Sequence, residues 1–258
     1  MAFYGGFPPY VPVAERQRLA RQELARLRKK GHAPEPVVIE GRHIATTFWG
    51  KAWCDHLEGH ADLETRLPRG RRYARNGAVI DLKITRGAVE ARVMGSELYS
   101  ASVAIRPLAP ARWRSVRERC SGSIGTVVEL LSGKLSEAVM SVLCHREEGL
   151  FPDTEELTLD CSCPDGAWLC KHLAAVLYGV GARLDQQPEL LFTLRGVDLS
   201  ELVAQAGTAK KLARPARQKK PLDRAKLGAI FGIELEREEP APRPRRPGRR
   251  ATARARRT

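Results

Sequence analysis

Three cysteines and one histidine lie within twelve residues, in the stretch Cys161-Ser162-Cys163-Pro164-Asp165-Gly166-Ala167-Trp168-Leu169-Cys170-Lys171-His172. They form two pairs, each with one residue between its members, and six residues separate the pairs. Thiolate sulfur and imidazole nitrogen are ligands that Zn²⁺ prefers, and a structural zinc site uses four of them. The sequence therefore predicts that Cys161, Cys163, Cys170 and His172 converge on one metal ion.

The residues around the cluster predict how the chain brings its members together. Leu157 to Asp160 is typical of a short strand, and a strand directs residues two apart to the same face, as Cys161 and Cys163 would require. Pro164 and Gly166 favour a turn. After it, apolar residues recur at helical spacing up to Gly181, namely Leu169, Leu173, Val176, Leu177 and Val180. Residues two apart on a helix differ by about 200°, so we place Cys170 in the entry turn and His172 in the first helical turn.

Four protein ligands close the coordination shell, whereas a catalytic zinc keeps an open position, so the predicted cofactor is one structural Zn²⁺. Three thiolates and a neutral imidazole around Zn²⁺ would give the site a formal charge of about −1. The positive charge of Lys171, which lies between two ligands in sequence, would offset it. The alternative is a set of reduced core cysteines beside a chance histidine. A redox role is disfavoured because no Cys-x-x-Cys spacing occurs. Three further cysteines are scattered and are predicted to be buried thiols: Cys54, Cys120 and Cys144.

The remaining patterns predict an α+β fold. A helix is expected from Val13 to Lys30, with a narrow apolar stripe and otherwise charged faces, and another after Thr47, with Trp49, Trp53 and Leu57 directed inward. Three alternating segments between residues 78 and 106 predict an antiparallel β meander with one buried face, and Val37 to Ile39 reads as a further short strand. A helical segment follows between residues 107 and 148, including a helix over residues 124–131.

Positive charge is concentrated at one end of the sequence. The net charge is +14, and residues 210–258 hold 17 Lys and Arg against 5 Asp and Glu, leaving +2 for residues 1–209. Residues 240–258 contain eight arginines, four prolines and no acid, so this segment cannot build a core and is predicted to be disordered. Its arginines would bind phosphates without sequence preference, and five are candidate contacts: Arg243, Arg245, Arg246, Arg249 and Arg250.

A second basic stretch lies within the near-neutral body. Arginines without an intervening acid occupy residues 66–75, and Pro68 and Gly70 favour a loop there. A solvated loop and an anion-contacting loop both remain open. The candidate nucleic-acid contacts in this stretch are Arg66, Arg69, Arg71, Arg72 and Arg75.

The pattern Cys161-x-Cys163 followed by Cys170-x-His172 resembles the SWIM zinc finger. Segments outside the finger, among them Phe48 to Trp53, Arg71 to Ala74 and Leu194 to Gly196, are similar to bacterial SWIM zinc finger proteins. The resemblance implies a small β-β-α zinc module with the four ligands named above. It also implies binding to DNA or protein, and members of the family often accompany a Swi/Snf-type helicase-like ATPase.

These features predict a non-enzymatic zinc protein that binds nucleic acid, for which we favour DNA over RNA as the ligand, or serves as an adaptor for such an ATPase, or both. The alternative is a protein-interaction module with only non-specific nucleic-acid contact by its tail. No nucleophile elbow, paired-carboxylate motif or helicase phosphate loop occurs. No signal peptide or membrane span is evident, so we expect a cytoplasmic protein without membrane contact, either free or associated with the nucleoid.

The expected organisation has four parts. Residues 1–36 form an aromatic arm and a basic helix, 37–150 an α+β body, 151–206 the finger with following helices, and 207–258 the basic, largely disordered tail. The aromatic arm, Phe3 to Tyr10, would pack on the body or stack on bases, and its helix would be solvated or lie along phosphates or a partner.

Overall fold

The computed structural model describes residues 10–60, 65–121, 137–202 and 204, all of which belong to one compact unit, Met1–Ala213. Its helices are α1 (Val13–Lys29), α2 (Phe48–Glu58), α3 (Leu67–Arg75), α4 (Pro110–Arg119), α5 (Glu137–Leu143), α6 (Lys171–Gln186) and α7 (Leu190–Arg195). Its strands are β1 (Val79–Thr85), β2 (Ala88–Met94), β3 (Leu98–Ile105) and β4 (Leu157–Cys161). The predicted α+β class is confirmed. None of the described helices is long and apolar enough to cross a membrane.

The sheet is an antiparallel meander in which the strands follow one another in sequence order. Its alternating pattern places one face in the core, and β3 buries Tyr99, Ala101, Val103 and Ile105 in turn. The strand that leads into the cysteine cluster, β4, pairs with β3 along the sheet edge. The finger therefore shares its sheet with the rest of the body.

Helix α6 begins at the metal-ligand cluster and is the central helix of the core. Twelve of its sixteen residues are buried, and it packs between the sheet, α2 and α3. Gly50 and Gly181 permit the close contact with α2, since a Cβ on Gly50 would lie 2.5 Å from the Gly181 carbonyl oxygen. The indole Nε1 of Trp53 donates a hydrogen bond to the Leu177 carbonyl at 2.9 Å. The predicted inward stripe of α2 is confirmed.

Helix α1 covers part of the opposite face of the sheet. Its Ala20 and Leu27 join Ile80 and Met94 in a small second apolar cluster, which confirms the predicted narrow stripe. The helix ends before Gly31, whose φ is 81°. The charged faces of α1 were expected to be solvated or to contact phosphates or a partner. Arg16 on this helix is instead only 5% exposed and stacks on Tyr73, with its guanidinium carbon 4.0 Å from the ring centroid.

A buried ion pair joins α7 to the chain that leaves β3 and to the chain that enters β4. Arg195 is completely buried, donates to the Arg106 carbonyl at 2.8 Å and pairs with Glu156 at 2.8 Å. Burial lowers the pKa of the Arg195 guanidinium, although Glu156 opposes the shift. The sequence pattern did not reveal this pair, because its members are separated by 39 positions.

Two predicted elements differ or cannot be compared. The segment from Val37 to Ile39 is not a strand. It nevertheless lies beside β1, because the Val37 N–H donates a hydrogen bond to the Val79 carbonyl at 3.0 Å. The helix predicted over residues 124–131 lies outside the described residues, and so do the aromatic arm up to residue 9 and the tail from residue 205.

Candidate metal centre

The four candidate ligands come from the end of one strand and the start of one helix. Cys161 is the last residue of β4, and Cys163 follows after one residue. Cys170 is the N-cap of α6, in extended conformation, and His172 lies in the first turn of that helix. The predicted split of the ligands between a strand end and a helix start is therefore confirmed.

The ligand atoms of these four residues lie within 4.8 Å of one another. Cys161 Sγ and His172 Nδ1 are 3.9 Å apart, which indicates that Nδ1 is the nitrogen directed to the cluster. The Leu173 N–H donates to Cys170 Sγ at 3.4 Å, as a capping side chain does at a helix N-terminus. Cys170 and His172 are buried, whereas Cys161 and Cys163 are half-buried.

The imidazole of His172 is held between aromatic rings. It stacks on Tyr99 with a centroid distance of 4.5 Å and meets the Tyr73 ring edge-on at 5.5 Å. Gly95 allows this arrangement, because a Cβ at that position would lie 2.8 Å from His172 Nε2. Among the described residues, Nε2 has no hydrogen-bond partner.

Hydrogen bonds among the three cysteines of the cluster shift the pKa values of their thiols. A hydrogen bond with Cys170, together with burial, raises the pKa of the Cys161 thiol, and burial is the main cause of the raised pKa of Cys163. Hydrogen bonding from Cys161 lowers the pKa of Cys170, and His172 and the Leu173 N–H act in the same direction. Cys170 is thus the sulfur whose surroundings best support a thiolate.

The donor set fits a structural zinc ion. Three sulfurs and one imidazole nitrogen match the closed Cys₃His type, in which Zn–S bonds of about 2.3 Å leave the ligand atoms about 4 Å apart. Cys161, Cys163, Cys170 and His172 would hold the ion, which would supply a cross-link between β4 and α6. Because all four positions would be taken by protein, the site leaves no position for a substrate.

The other cysteines are remote from this cluster. Cys54 and Cys120 are buried and Cys144 is half-buried. Burial raises the pKa of Cys54 and Cys144 to about 12 and that of Cys120 to about 11. These thiols are protonated near neutral pH. The predicted burial is confirmed for Cys54 and Cys120, whereas Cys144 is only partly buried against the core.

The loop predicted for residues 66–75 is wrong, because the structure has helix α3 (Leu67–Arg75) there. Pro68 is compatible with the first helical turn, where no N–H is required. Gly70 is needed for packing, since a Cβ on it would lie 2.3 Å from the Ala174 Cβ on α6. Residues that are typical of loops thus serve a helix start and a close helix contact.

The five candidate arginines of this stretch fall into two groups, one in ion pairs and one exposed to solvent. Arg66 pairs with Asp165 of the finger loop at 3.0 Å, and Arg71 pairs with Glu58, so acids distant in sequence neutralise both. Arg69, Arg72 and Arg75 are exposed and have no ion pair within the described part of the chain. The five candidates of the tail, Arg243, Arg245, Arg246, Arg249 and Arg250, lie outside the described residues.

A second group of potential metal ligands was missed. His56, His60 and Asp153 bring their ligand atoms within 4.8 Å of one another, and the Nε2 atoms of the two histidines are 3.2 Å apart. The signal for this group in the sequence is the four-residue spacing of the two histidines. Arg146 Nη2 lies 3.2 Å from His60 Nδ1, and this positive charge disfavours a cation.

Comparison with known proteins agrees with the geometry of the main cluster. Residues 148–180 match the family model of the SWIM zinc finger. Over 170 residues the chain is 37% identical to the uncharacterized protein Rv2102 of Mycobacterium tuberculosis (strain ATCC 25618 / H37Rv), covering 65% of this chain and 61% of that protein. No solved structure matches the chain. Residues 148–180 of this chain are therefore a SWIM zinc finger, with its metal-ligand motif at the junction of β4 and α6.

Proposed function

We propose that this protein is a non-enzymatic, zinc-binding SWIM finger protein that binds DNA. In this proposal the zinc ion stabilises the fold, and contacts with DNA come from surface arginines. The closed donor set supports the non-enzymatic role, since it leaves no open metal position for a reacting group.

The observation that carries the proposal is the position of α3. Its Arg69, Arg72 and Arg75 are exposed, and the helix packs against the finger helix α6 through Gly70 and Ala174. Guanidinium groups bind phosphate oxygens in bidentate fashion and are common wherever proteins hold nucleic acid. As far as the described part of the chain goes, these guanidinium groups have no ion pair, and they lie on the helix that packs against the finger helix.

The basic tail supports the same function. Its eight arginines after residue 239 would bind phosphates through release of counterions. Such contacts add affinity without sequence preference, whereas helix α3 has a fixed position on the body. We therefore assign the tail to affinity and α3 to placement of the finger on DNA.

The test is DNA binding by the full chain at two salt concentrations. Fluorescence anisotropy with a labelled duplex should show affinity that falls at least about tenfold between about 50 and about 200 mM salt. Deletion of residues 237–258 should reduce both the affinity and the salt slope. Absence of salt-dependent binding to duplex and single-stranded DNA by the full chain would contradict the proposal.

A second candidate function is an adaptor for a protein partner such as a Swi/Snf-type helicase-like ATPase. Trp168, in the loop between the two ligand pairs, is 47% exposed, and exposed tryptophan is typical of protein-interaction sites. The immobilised full chain should retain such an ATPase of its source cell, and Trp168→Ser should weaken retention while Val38→Ser, at an exposed site outside the finger, does not. Equal retention by both variants would remove the finger from the interaction.

A further inference from the structure

A cleft opens between α1, α3 and the finger. Its volume is about 460 Å³. This lies within the range of pockets that enclose small molecules, and it is too small to hold a nucleic-acid duplex. Four cationic side chains line it: Arg16, Arg69, Arg72 and Lys171. The cleft therefore combines a basic lining with a volume suited to a ligand of about the size of one nucleotide.

Within the described residues, the cations of the cleft have no anionic partner. No carboxylate of the described residues lies within ion-pair distance of any of the four. The acid that lines the cleft, Asp165, is already paired with Arg66 at 3.0 Å. Even with a formal charge of about −1 on a zinc-loaded finger, the lining keeps a positive excess. An anion in the cleft would find several charged donors at once.

Arg16 gives the strongest indication. Its side chain lines the cleft, only 5% of the residue is exposed, and its Nε has no hydrogen-bond partner among the described residues. Removing a guanidinium from water costs free energy unless an anion or hydrogen-bond acceptor compensates it. The stack on Tyr73 at 4.0 Å orients the group but supplies no acceptor. A phosphate in the cleft would supply the negative charge that compensates this buried guanidinium.

The aromatic lining distinguishes a nucleotide from a simple anion. Tyr10 lines the cleft and is 82% exposed, so its ring is available for stacking. Sites for single-stranded nucleic acid combine a basic groove that holds the backbone with aromatic side chains that stack on bases. Val11 and Val13 add apolar surface. This combination suits a nucleoside phosphate better than an acidic peptide.

We propose that the cleft between α1, α3 and the SWIM finger binds one nucleoside phosphate unit of a single-stranded nucleic acid. The phosphate would lie among Arg16, Arg69, Arg72 and Lys171, and the base would stack on Tyr10. The inference rests on the proposed nucleic-acid function and deepens it. It separates Arg69 and Arg72, which line the cleft, from Arg75 of the same helix, which does not.

The test compares two variants of equal charge in the full chain. Arg69→Gln with Arg72→Gln removes two cations of the cleft, and Lys51→Gln with Arg114→Gln removes two exposed cations outside it. Anisotropy with a labelled short oligothymidylate should show at least a tenfold loss of affinity, about the value of one charged hydrogen bond, for the first pair. The second pair should change affinity less than about twofold. Zinc content and circular dichroism should be unchanged in both.

Direct binding of small ligands then identifies which part of the nucleotide the cleft recognises. Thymidine 5′-monophosphate, measured by calorimetry, should bind the wild type and fail to bind the cleft variant, whereas thymidine without phosphate should bind neither. If inorganic phosphate or an oligoglutamate peptide binds as well as the nucleotide, the assignment to a nucleoside phosphate is wrong.

The outcomes separate this proposal from the general one. Equal losses of oligothymidylate affinity in the two pairs, with salt-dependent binding intact, would overturn the cleft and leave the DNA-binding proposal standing. If the wild type binds no nucleic acid, the DNA-binding proposal fails. In that case, phosphate-dependent binding of thymidine 5′-monophosphate that is lost in the cleft variant would still support the cleft, and its absence would overturn it.

Discussion

At the scale of single residues, the four ligands of the finger are held by different means. Cys170 is fixed by its N-cap hydrogen bond from Leu173, and His172 by stacking on Tyr99. Cys161 is fixed by the sheet, and Cys163 alone lies in irregular chain with a half-buried side chain. Cys163 is therefore the ligand whose replacement disturbs the surrounding fold least.

We expect one zinc ion per chain in the purified wild type and a loss of most of that zinc in Cys163→Ser, because serine lacks the thiolate that the site requires. Metal analysis by mass spectrometry after gel filtration measures the ratio. Cys144→Ser is the control, since Cys144 is a half-buried cysteine outside the cluster. Retention of zinc by Cys163→Ser would contradict the ligand set.

The second residue-scale prediction concerns the buried pair of Arg195 and Glu156. Glu156→Gln leaves a fully buried guanidinium without its carboxylate, and the free energy of unfolding should fall by about 3 kcal/mol. Urea unfolding followed by tryptophan fluorescence measures it. The control, Glu148→Gln, breaks the exposed pair with Arg119 and should cost less than about 1 kcal/mol. Similar losses in both variants would show that burial does not control the pair's contribution.

At the scale of elements, α3 depends on a close contact with α6. In an exposed helix, replacing glycine with alanine would add about 1 kcal/mol of stability. At Gly70 we expect the opposite sign, a loss of about 1–3 kcal/mol, because the new Cβ would lie 2.3 Å from that of Ala174. Thermal unfolding distinguishes the two signs. Gly166→Ala, where a Cβ meets nothing within 4 Å, should change stability little, and a stabilised Gly70→Ala would refute the contact.

Most elements could be predicted from periodicity, and the exceptions have physical causes. The meander, α1, α2 and the start of α6 follow local patterns of two or 3.6 residues, and the finger ligands lie close together in sequence. Helix α3 was missed because its Pro68 and Gly70 acquire their meaning only from position in the helix and from contact with α6. The cleft could not be predicted, since Arg16 and Lys171 meet only through the tertiary fold.

At the scale of the whole molecule, the finger is continuous with the core. Helix α6 carries two of the candidate ligands at its start and then passes between α2, α3 and the sheet. Binding of a structural zinc ion contributes on the order of 10 kcal/mol in small fingers. In this chain that contribution would be transmitted to the body through α6. Stability of the body and occupancy of the finger should therefore change together.

We expect a strong chelator to lower the melting temperature of the whole chain by at least about 10 °C. Near-ultraviolet circular dichroism is a suitable readout, because Trp49 and Trp53 are buried beside α6 and not in the finger. Zinc added back should restore the transition, whereas magnesium should not. An unchanged tryptophan transition after complete zinc removal would show that the finger is independent of the body.

The pairing of β4 with β3 has a further consequence for the tolerance of the chain to insertions and deletions. Leu157, Leu159 and Cys161 share the inward face of β4, and Cys161 lies opposite Ala101 in the ladder. A shift by one residue would turn the Cys161 thiol to the outer face, since side chains alternate along a strand. The register of β4 against β3 therefore determines whether the Cys161 thiol faces the other ligands. A single deletion in β4 would remove this ligand from the site without altering any ligand residue.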